Sequence, residues 1–355
     1  MNQQSLPFAA PPIAPLDRAM REALRAKVDG LAKPPGALGR LEDLAVQIGA
    51  IQGRSDPRVD KVRAYVFAGD HGLNAEGVSA YPAAVTAAMV ATFLAGRASV
   101  NALARACGVE VVVVDAGVDA DLAPPNLASQ DGLVDAKVRR GSRNAAVEPA
   151  LTAAEVGLAL ARGAAFAEIA AGDGVDALIP GEMGIGNTAS AALIMHRLAP
   201  AALADCIGLG AGHDAAGLDH KIQVLTRAAA RSDAIAPLDV LAEFGGLEIV
   251  MMTGLILGAA ARRRVIIVDG FISTVAALAA IRLSPAVLDY CVFAHASAER
   301  GHAVLLKALD AAPLLQLGMR LGEGTGGVLA APIVRAAANL LREVASLDEV
   351  LSGRL

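Results

Sequence analysis

Six short runs rich in β-forming and apolar residues, at 62–67, 109–114, 177–179, 206–209, 265–268 and 290–293, constrain this chain more than any other feature. Each closes on a loop of small or polar residues, chiefly Gly, Asp, His and Ser, and leads into an Ala-rich helical stretch; the fourth, Cys206-Ile207-Gly208-Leu209, is the weakest. Continuous apolar strands separated by helices read as an α/β chain whose parallel sheet is covered on both faces. Ligands of such sheets lie outside the carboxyl ends of the strands. The expected rim gathers Asp70, His71, Asp115, Glu182, Asn187, Asp269 and Ser297.

The flanks follow another rhythm. A helical pattern at 16–28 and a second one carrying Leu38, Leu41, Leu44, Ala45 and Ile48 on one face enclose the rigid turn Lys33-Pro34-Pro35-Gly36. A last helix, at 332–344, lies beyond the sheet pattern and is free to pack with them.

Of the 355 residues 55% are hydrophobic but only 3% aromatic, with no Trp, so close packing through Ala and Gly is expected. The mean hydropathy of +0.49 raises the question of a membrane. The longest apolar stretches, such as 251–261, are bounded by charge and fall short of the roughly 20 residues a span needs. No basic-then-apolar leader opens the chain, so a cytoplasmic protein is expected. A net charge of −5 without a dense basic run argues against nucleic acid as partner. Cys107, Cys206 and Cys291 show no CxxC spacing and read as buried thiols.

Two loops carry the chemistry. Leu321-Gly322-Glu323-Gly324-Thr325-Gly326-Gly327 sets one carboxylate among four glycines. Glycines let a backbone approach a ligand, and a helix starting near Thr325 would aim its free N–H groups at the same place. An anion-binding turn has no need of an acid. Glu323 is therefore either a general base beside a bound phosphate or ribose, or a carboxylate favoured by a helix N-terminus. Gly184-Ile185-Gly186-Asn187-Thr188 joins a strand to a helix as phosphate cradles do, with Glu182 adding a second carboxylate; Thr188 as a helix cap is the alternative. No GxxxxGK[ST] pattern is present. Residues 208–213 imitate a dinucleotide fingerprint, but His213 holds the sixth position and no acidic partner follows. Lys221 on its own reads as a solvated helix lysine. The histidines fit neither HExxH nor a GxSxG elbow, so His295 and His302, flanking Ser297, read as supporting groups.

Taken together, the segments resemble the nicotinate-nucleotide–dimethylbenzimidazole phosphoribosyltransferase family of cobalamin lower-ligand assembly. The carriers are Lys33 to Glu42 (KPPGALGRLE), Ala68-Gly69-Asp70-His71-Gly72, Gly77-Val78-Ser79-Ala80-Tyr81-Pro82, the loop from Gly181 to Thr188, Phe244-Gly245-Gly246-Leu247-Glu248, Val268-Asp269-Gly270-Phe271, the stretch from His295 to His302, and the Glu323 loop. The resemblance implies a Rossmann-like α/β catalytic domain at 61–331, a small helical domain from 1–60 plus 332–355, and a homodimer. It implies transfer of phosphoribose from nicotinate mononucleotide to 5,6-dimethylbenzimidazole, giving α-ribazole 5′-phosphate and nicotinate, without cofactor or metal. By the same resemblance Glu323 is the catalytic base, and Glu182 and Lys221 are the polar groups that assist it. Ser79 and Tyr81 fall at the benzimidazole pocket. Gly184, Gly186, Asn187, Thr188, Asp269, Ser297, Gly322, Gly324, Thr325 and Gly326 fall where substrate binds.

Three positions depart from the family pattern. Ala37 replaces a common Ser, Ala88 replaces a glutamine of the benzimidazole pocket, and Ala211 replaces the Thr of a Gly-x-Gly-Thr-Gly loop. The second implies a relaxed base preference, and the third a missing hydroxyl at the substrate phosphate. The implied chemistry is consistent: nicotinate leaves from a pyridinium already charged, and no pyrophosphate calls for Mg²⁺. The attacking benzimidazole carries a proton that a glutamate of raised pKa would take.

Overall fold

The parallel sheet is present, with one strand exchanged. The protein is described from a computed structural model, which covers residues 8–122, 133–210 and 215–354. In chain order it comprises α1 (Arg18–Asp29), α2 (Arg40–Gln52), β1 (Val62–Gly69), α3 (Ala84–Leu94), α4 (Ser99–Cys107), β2 (Glu110–Gly117), β3 (Leu133–Asp135), α5 (Ala153–Gly172), β4 (Ala177–Met183) and α6 (Asn187–Leu198). There follow α7 (Leu203–Cys206), α8 (Ala215–Ala230), α9 (Pro237–Phe244), α10 (Leu247–Ala261), β5 (Val265–Val268), α11 (Phe271–Leu283), β6 (Cys291–Phe293), α12 (Arg300–Ala308), α13 (Thr325–Glu343) and α14 (Leu347–Leu351).

All strands run parallel in the order β3-β2-β1-β4-β5-β6. This is a doubly wound order whose direction reverses between β1 and β4, so a crevice opens beyond the carboxyl ends of those two strands. Their register places Phe67 beside Glu182 and Ala68 beside Met183.

The fourth expected strand, 206–209, is not one. Cys206 ends α7 and Ile207 is extended, yet no sheet partner flanks them among the described residues. Both are buried beneath α6 and α12, which is why a strand-like apolar run appears there. The sixth strand is β3, whose three residues are too few to show a period.

Small residues set the helix packing. Apart from Glu248 in its first turn and Thr253, α10 is apolar all round, and it is buried along almost its whole length. Gly254 and Gly258 lie on its face toward α5, where a Cβ would stand 2.2 Å from the Leu160 carbonyl and 2.8 Å from that of Ala164. Facing them, a Cβ on Gly163 would stand 2.0 Å from the Met251 carbonyl. Gly163→Ala should therefore force α5 and α10 apart and cost about 1–3 kcal/mol, the usual range for overpacking. Thermal unfolding checks this; an unchanged midpoint would contradict the packing described.

One segment does reach spanning length, contrary to the sequence expectation. Ala84–Cys107 has a mean hydropathy of 1.3, but Gly96, at φ +67°, divides it into α3 and α4. Both lie partly buried against the sheet layer.

Residues 30–32 meet residues 345–347. Ala32 donates to the Ala345 carbonyl at 2.8 Å and Leu347 to that of Gly30 at 2.9 Å. Buried Glu42 holds Lys33 at 2.8 Å and accepts from the Gly36 and Leu38 amides, fixing the Pro-Pro turn. α13 packs on α2 and α4 and touches β4 and β5, so one helix reaches from the sheet rim to the N-terminal helices.

Candidate active site

A cavity of about 440 Å³ opens at the reversal point of the sheet. One wall is apolar, from Val78, Val85, Met89 and Tyr81, with Ser79 beside them. The other is built of Glu182 to Thr188, Asp269 to Ser273, Ser297 and the loop at 320–323. Two helices start there. α6 begins at Asn187 behind Gly186, which takes φ +92°, and α11 begins at Phe271. First-turn amides have no acceptor within their own helix; at α6 those of Asn187 and Ala189 already donate to the Gly184 and Gly186 carbonyls at 3.1 and 3.0 Å, so the start of α11 is the end that offers N–H groups to an anion.

The Glu323 loop is bent three times in succession. Gly322, Glu323 and Gly324 have φ of +87°, +63° and +82°. Only the flanking glycines adopt this freely, and the glutamate costs about 1–2 kcal/mol there. The turn is closed by the amide and hydroxyl of Thr325, which donate to the Gly322 carbonyl at 3.0 and 2.7 Å. Glu323 is 5% exposed, lines the cavity, and has one carboxylate oxygen with no hydrogen-bond partner. Burial raises its pKa, the nearby Asp269 adds to that, and a bond from the Val100 amide opposes it.

Glu182 shares this wall. It accepts from the Asn187 side chain, and from the Glu323 amide at 3.4 Å. Burial, then the Asp269 and Glu248 carboxylates, push its pKa up to about 8. It therefore holds a proton at neutral pH, which keeps a second anion from Glu323.

Lys221 does not reach the cavity. It is fully buried and donates to the Thr188 hydroxyl at 2.9 Å and to the Gly208 carbonyl at 3.2 Å. Burial lowers its pKa to about 8. Its bond occupies a lone pair of the Thr188 oxygen, so the Thr188 O–H is free to point into the cavity.

The remaining expected site residues divide. Ser79, Tyr81, Gly184, Gly186, Asn187, Thr188, Asp269, Ser297 and Gly322 line the cavity. Gly324, Thr325 and Gly326 lie behind it, because the first turn of α13 faces Asp269. The carboxylate of Asp269 accepts from Gly324 at 3.1 Å, Gly326 at 2.6 Å and Gly327 at 3.0 Å. Asp70, His71 and Asp115 are buried away from the cavity. Asp115 pairs with Lys137 at 3.0 Å, and Asp70 accepts from the Asp119 amide at 2.8 Å. Ala88 is exposed on α3, which turns Val85 and Met89 to the cavity instead. Ala211 and His213 lie outside the described residues.

Two buried histidines support the site, His302 as the sequence reading expected and His71 instead of standing on the rim. His71 Nε2 lies 2.6 Å from Glu248 directly behind Gly184. Burial disfavours the charged imidazole, but Glu248 outweighs it and holds the pKa up. His302 Nδ1 accepts the Ser297 amide at 2.9 Å, and Nε2 lies 3.0 Å from the Thr274 hydroxyl. The first bond places the proton on Nε2, and burial, with His295, holds the ring neutral with a pKa of about 3. The loop bearing Ser297 is thus fixed by a histidine of set tautomer.

A half-apolar cavity, two helix N-termini and a buried carboxylate at the reversal of a doubly wound sheet define an α/β enzyme for small anionic substrates. A phosphoribosyltransferase family model matches residues 13–350. The nicotinate-nucleotide–dimethylbenzimidazole phosphoribosyltransferase of Cupriavidus necator is 52% identical over 339 residues, covering 95% of this chain and 96% of that one. Its Ralstonia nicotianae counterpart is 54% identical over 335 residues, covering 94% of each. The crystal structure of CobT from Thermus thermophilus superposes with a TM-score of 0.88 at 41% identity, covering 94% of this chain and 98% of that one. The chain belongs to the nicotinate-nucleotide–dimethylbenzimidazole phosphoribosyltransferase family.

Proposed function

We propose that this enzyme moves the 5-phosphoribosyl group from nicotinate mononucleotide to 5,6-dimethylbenzimidazole, releasing nicotinate, with Glu323 as general base. The observation that carries the reading is the unpartnered oxygen of a buried, high-pKa glutamate facing a cavity with one apolar wall. The apolar wall of Val78, Val85 and Met89 suits a flat bicyclic base, and the amides at the start of α11 with the Thr188 and Ser297 hydroxyls suit the phosphate. One ring nitrogen of the benzimidazole attacks C1′ while Glu323 takes the proton from the other. Nicotinate leaves from the opposite face with the electron pair of the broken C–N bond, neutralising its pyridinium. Attack and departure on opposite faces invert C1′, which turns a β-nucleotide into an α-ribazole phosphate. Holding both substrates in line supplies much of the rate enhancement.

The reading includes a homodimer and a small helical domain at 1–60 plus 332–355. The pairing of residues 30–32 with 345–347 supports the latter. Incubating the purified protein with both substrates should release free nicotinate, and omitting either substrate should abolish release. Tight binding of both without release would make the protein a binding module instead.

A further inference from the structure

We infer that Asp269 is a positioning residue whose carboxylate clamps the first turn of α13 and so holds Glu323 in its bent loop, facing the cavity. The inference rests on the proposed role of Glu323. Family resemblance alone suggests a substrate ligand at this position, but the bonds point elsewhere. Oδ1 takes the Gly326 and Gly327 amides at 2.6 and 3.0 Å, and Oδ2 takes the Gly324 amide at 3.1 Å. Three of about four lone-pair positions on the carboxylate are thereby used. Burial pushes the Asp269 pKa up, and His295 with the Gly327, Gly326 and Gly324 amides favours the charged form against it. In that form the carboxylate has no donor for a phosphate, so a ribose hydroxyl is the one substrate contact left to it.

The clamp has a mechanical purpose. Three successive left-handed residues precede α13, one of them a glutamate. Released, that turn would relax toward ordinary backbone and swing Glu323 away. Packing blocks other arrangements: a Cβ on Gly326 would stand 2.0 Å from the His295 ring and 2.8 Å from Asp269. The groups around Asp269 are His295, 3.6 Å away beyond β6, Glu323 on the clamped loop, and Glu182 at the end of β4. Glu248 on α10 acts on Glu182 from the far side, with His71 as its own partner. The charge of Asp269 raises the proton affinity of both glutamates.

Asp269→Asn keeps one acceptor oxygen and turns the other into a donor facing an N–H. We expect kcat for nicotinate release to fall about 100-fold, as for a misplacement near 1 Å, with nicotinate mononucleotide affinity within a few-fold of wild type. With the neighbouring negative charge gone, Glu323 should lose its proton more readily, so the acid limb of kcat/KM should move to lower pH. A kcat within threefold of wild type and an unmoved acid limb would overturn the clamp. So would a selective loss of nucleotide affinity, which would make Asp269 a ribose ligand. Should the variant not fold, hydrogen exchange of the substrate-free wild type decides the matter. The Gly326 and Gly327 amides, which have no acceptor within the helix, should be protected. Exchange at random-coil rates would refute the clamp. If the wild type releases no nicotinate, the base assignment fails, while the exchange measurement still decides whether the clamp exists.

Discussion

Glu323→Gln should bind nicotinate mononucleotide nearly as well as the wild type yet lose about 100- to 10,000-fold in kcat, the usual range for removing a general base. The amide preserves the shape of the side chain and keeps an oxygen to accept from the Val100 amide, and the loop backbone is held by Thr325 and Asp269. The deficit should therefore lie in turnover and not in affinity. The pH dependence makes a second reading of the same residue. Glu323 acts deprotonated, and burial, then Asp269, raise its pKa above the ordinary glutamate value. Activity in the wild type should accordingly fall on the acid side at a pH higher than a solvated glutamate would give. Glu182, with its pKa near 8, is protonated over that range and leaves Glu323 as the basic carboxylate. Steady-state kinetics with independent binding by calorimetry separate the two quantities. A variant with wild-type kcat would remove Glu323 from proton transfer.

Much of this arrangement could be read from the chain because the signals were local. Runs rich in apolar residues at β1, β2, β4, β5 and β6, with charge confined to positions such as Arg63, Glu110, Asp115 and Glu182 near the strand ends, are what strands buried on both faces require. An acid among glycines stood out at Glu323 for a local reason too, since each neighbour serves a backbone bend that a side chain resists. The parts that escaped depend on distant contacts. His71 and Glu248 stand 177 residues apart and meet only across the finished sheet. The proton on Glu182 follows from burial beside Asp269 and Glu248, neither of which its own loop foretells. The α13 N-terminus looked open to a ligand because nothing near Thr325 in sequence reveals that Asp269 already occupies it. Lys221 looked solvated for the same reason, although the fold buries it completely behind Thr188.

Gly322→Ala should damage the enzyme almost as severely as losing the base, for a different reason. Its φ of +87° makes any side chain strained, and the added Cβ would stand 2.2 Å from Oε1 of Glu182. That oxygen is not a free side-chain end: it accepts the Glu323 amide, while its twin accepts from Asn187. The methyl must therefore displace either Glu182 or the Glu323 turn, and both line the cavity. Gly318 provides the control, since it also has a left-handed φ, of +67°, but nothing lies within 4 Å of its Cβ position. Gly318→Ala should cost only the backbone strain, about 1–2 kcal/mol of stability, with turnover unchanged. Gly322→Ala should add to that cost a fall of about 100-fold or more in kcat/KM, because a displacement near 1 Å suffices. Thermal unfolding and nicotinate release measured on both variants separate strain from collision. Equal activity in the two would mean that Glu182 yields freely, and the coupling between the two carboxylate loops would then have to be abandoned.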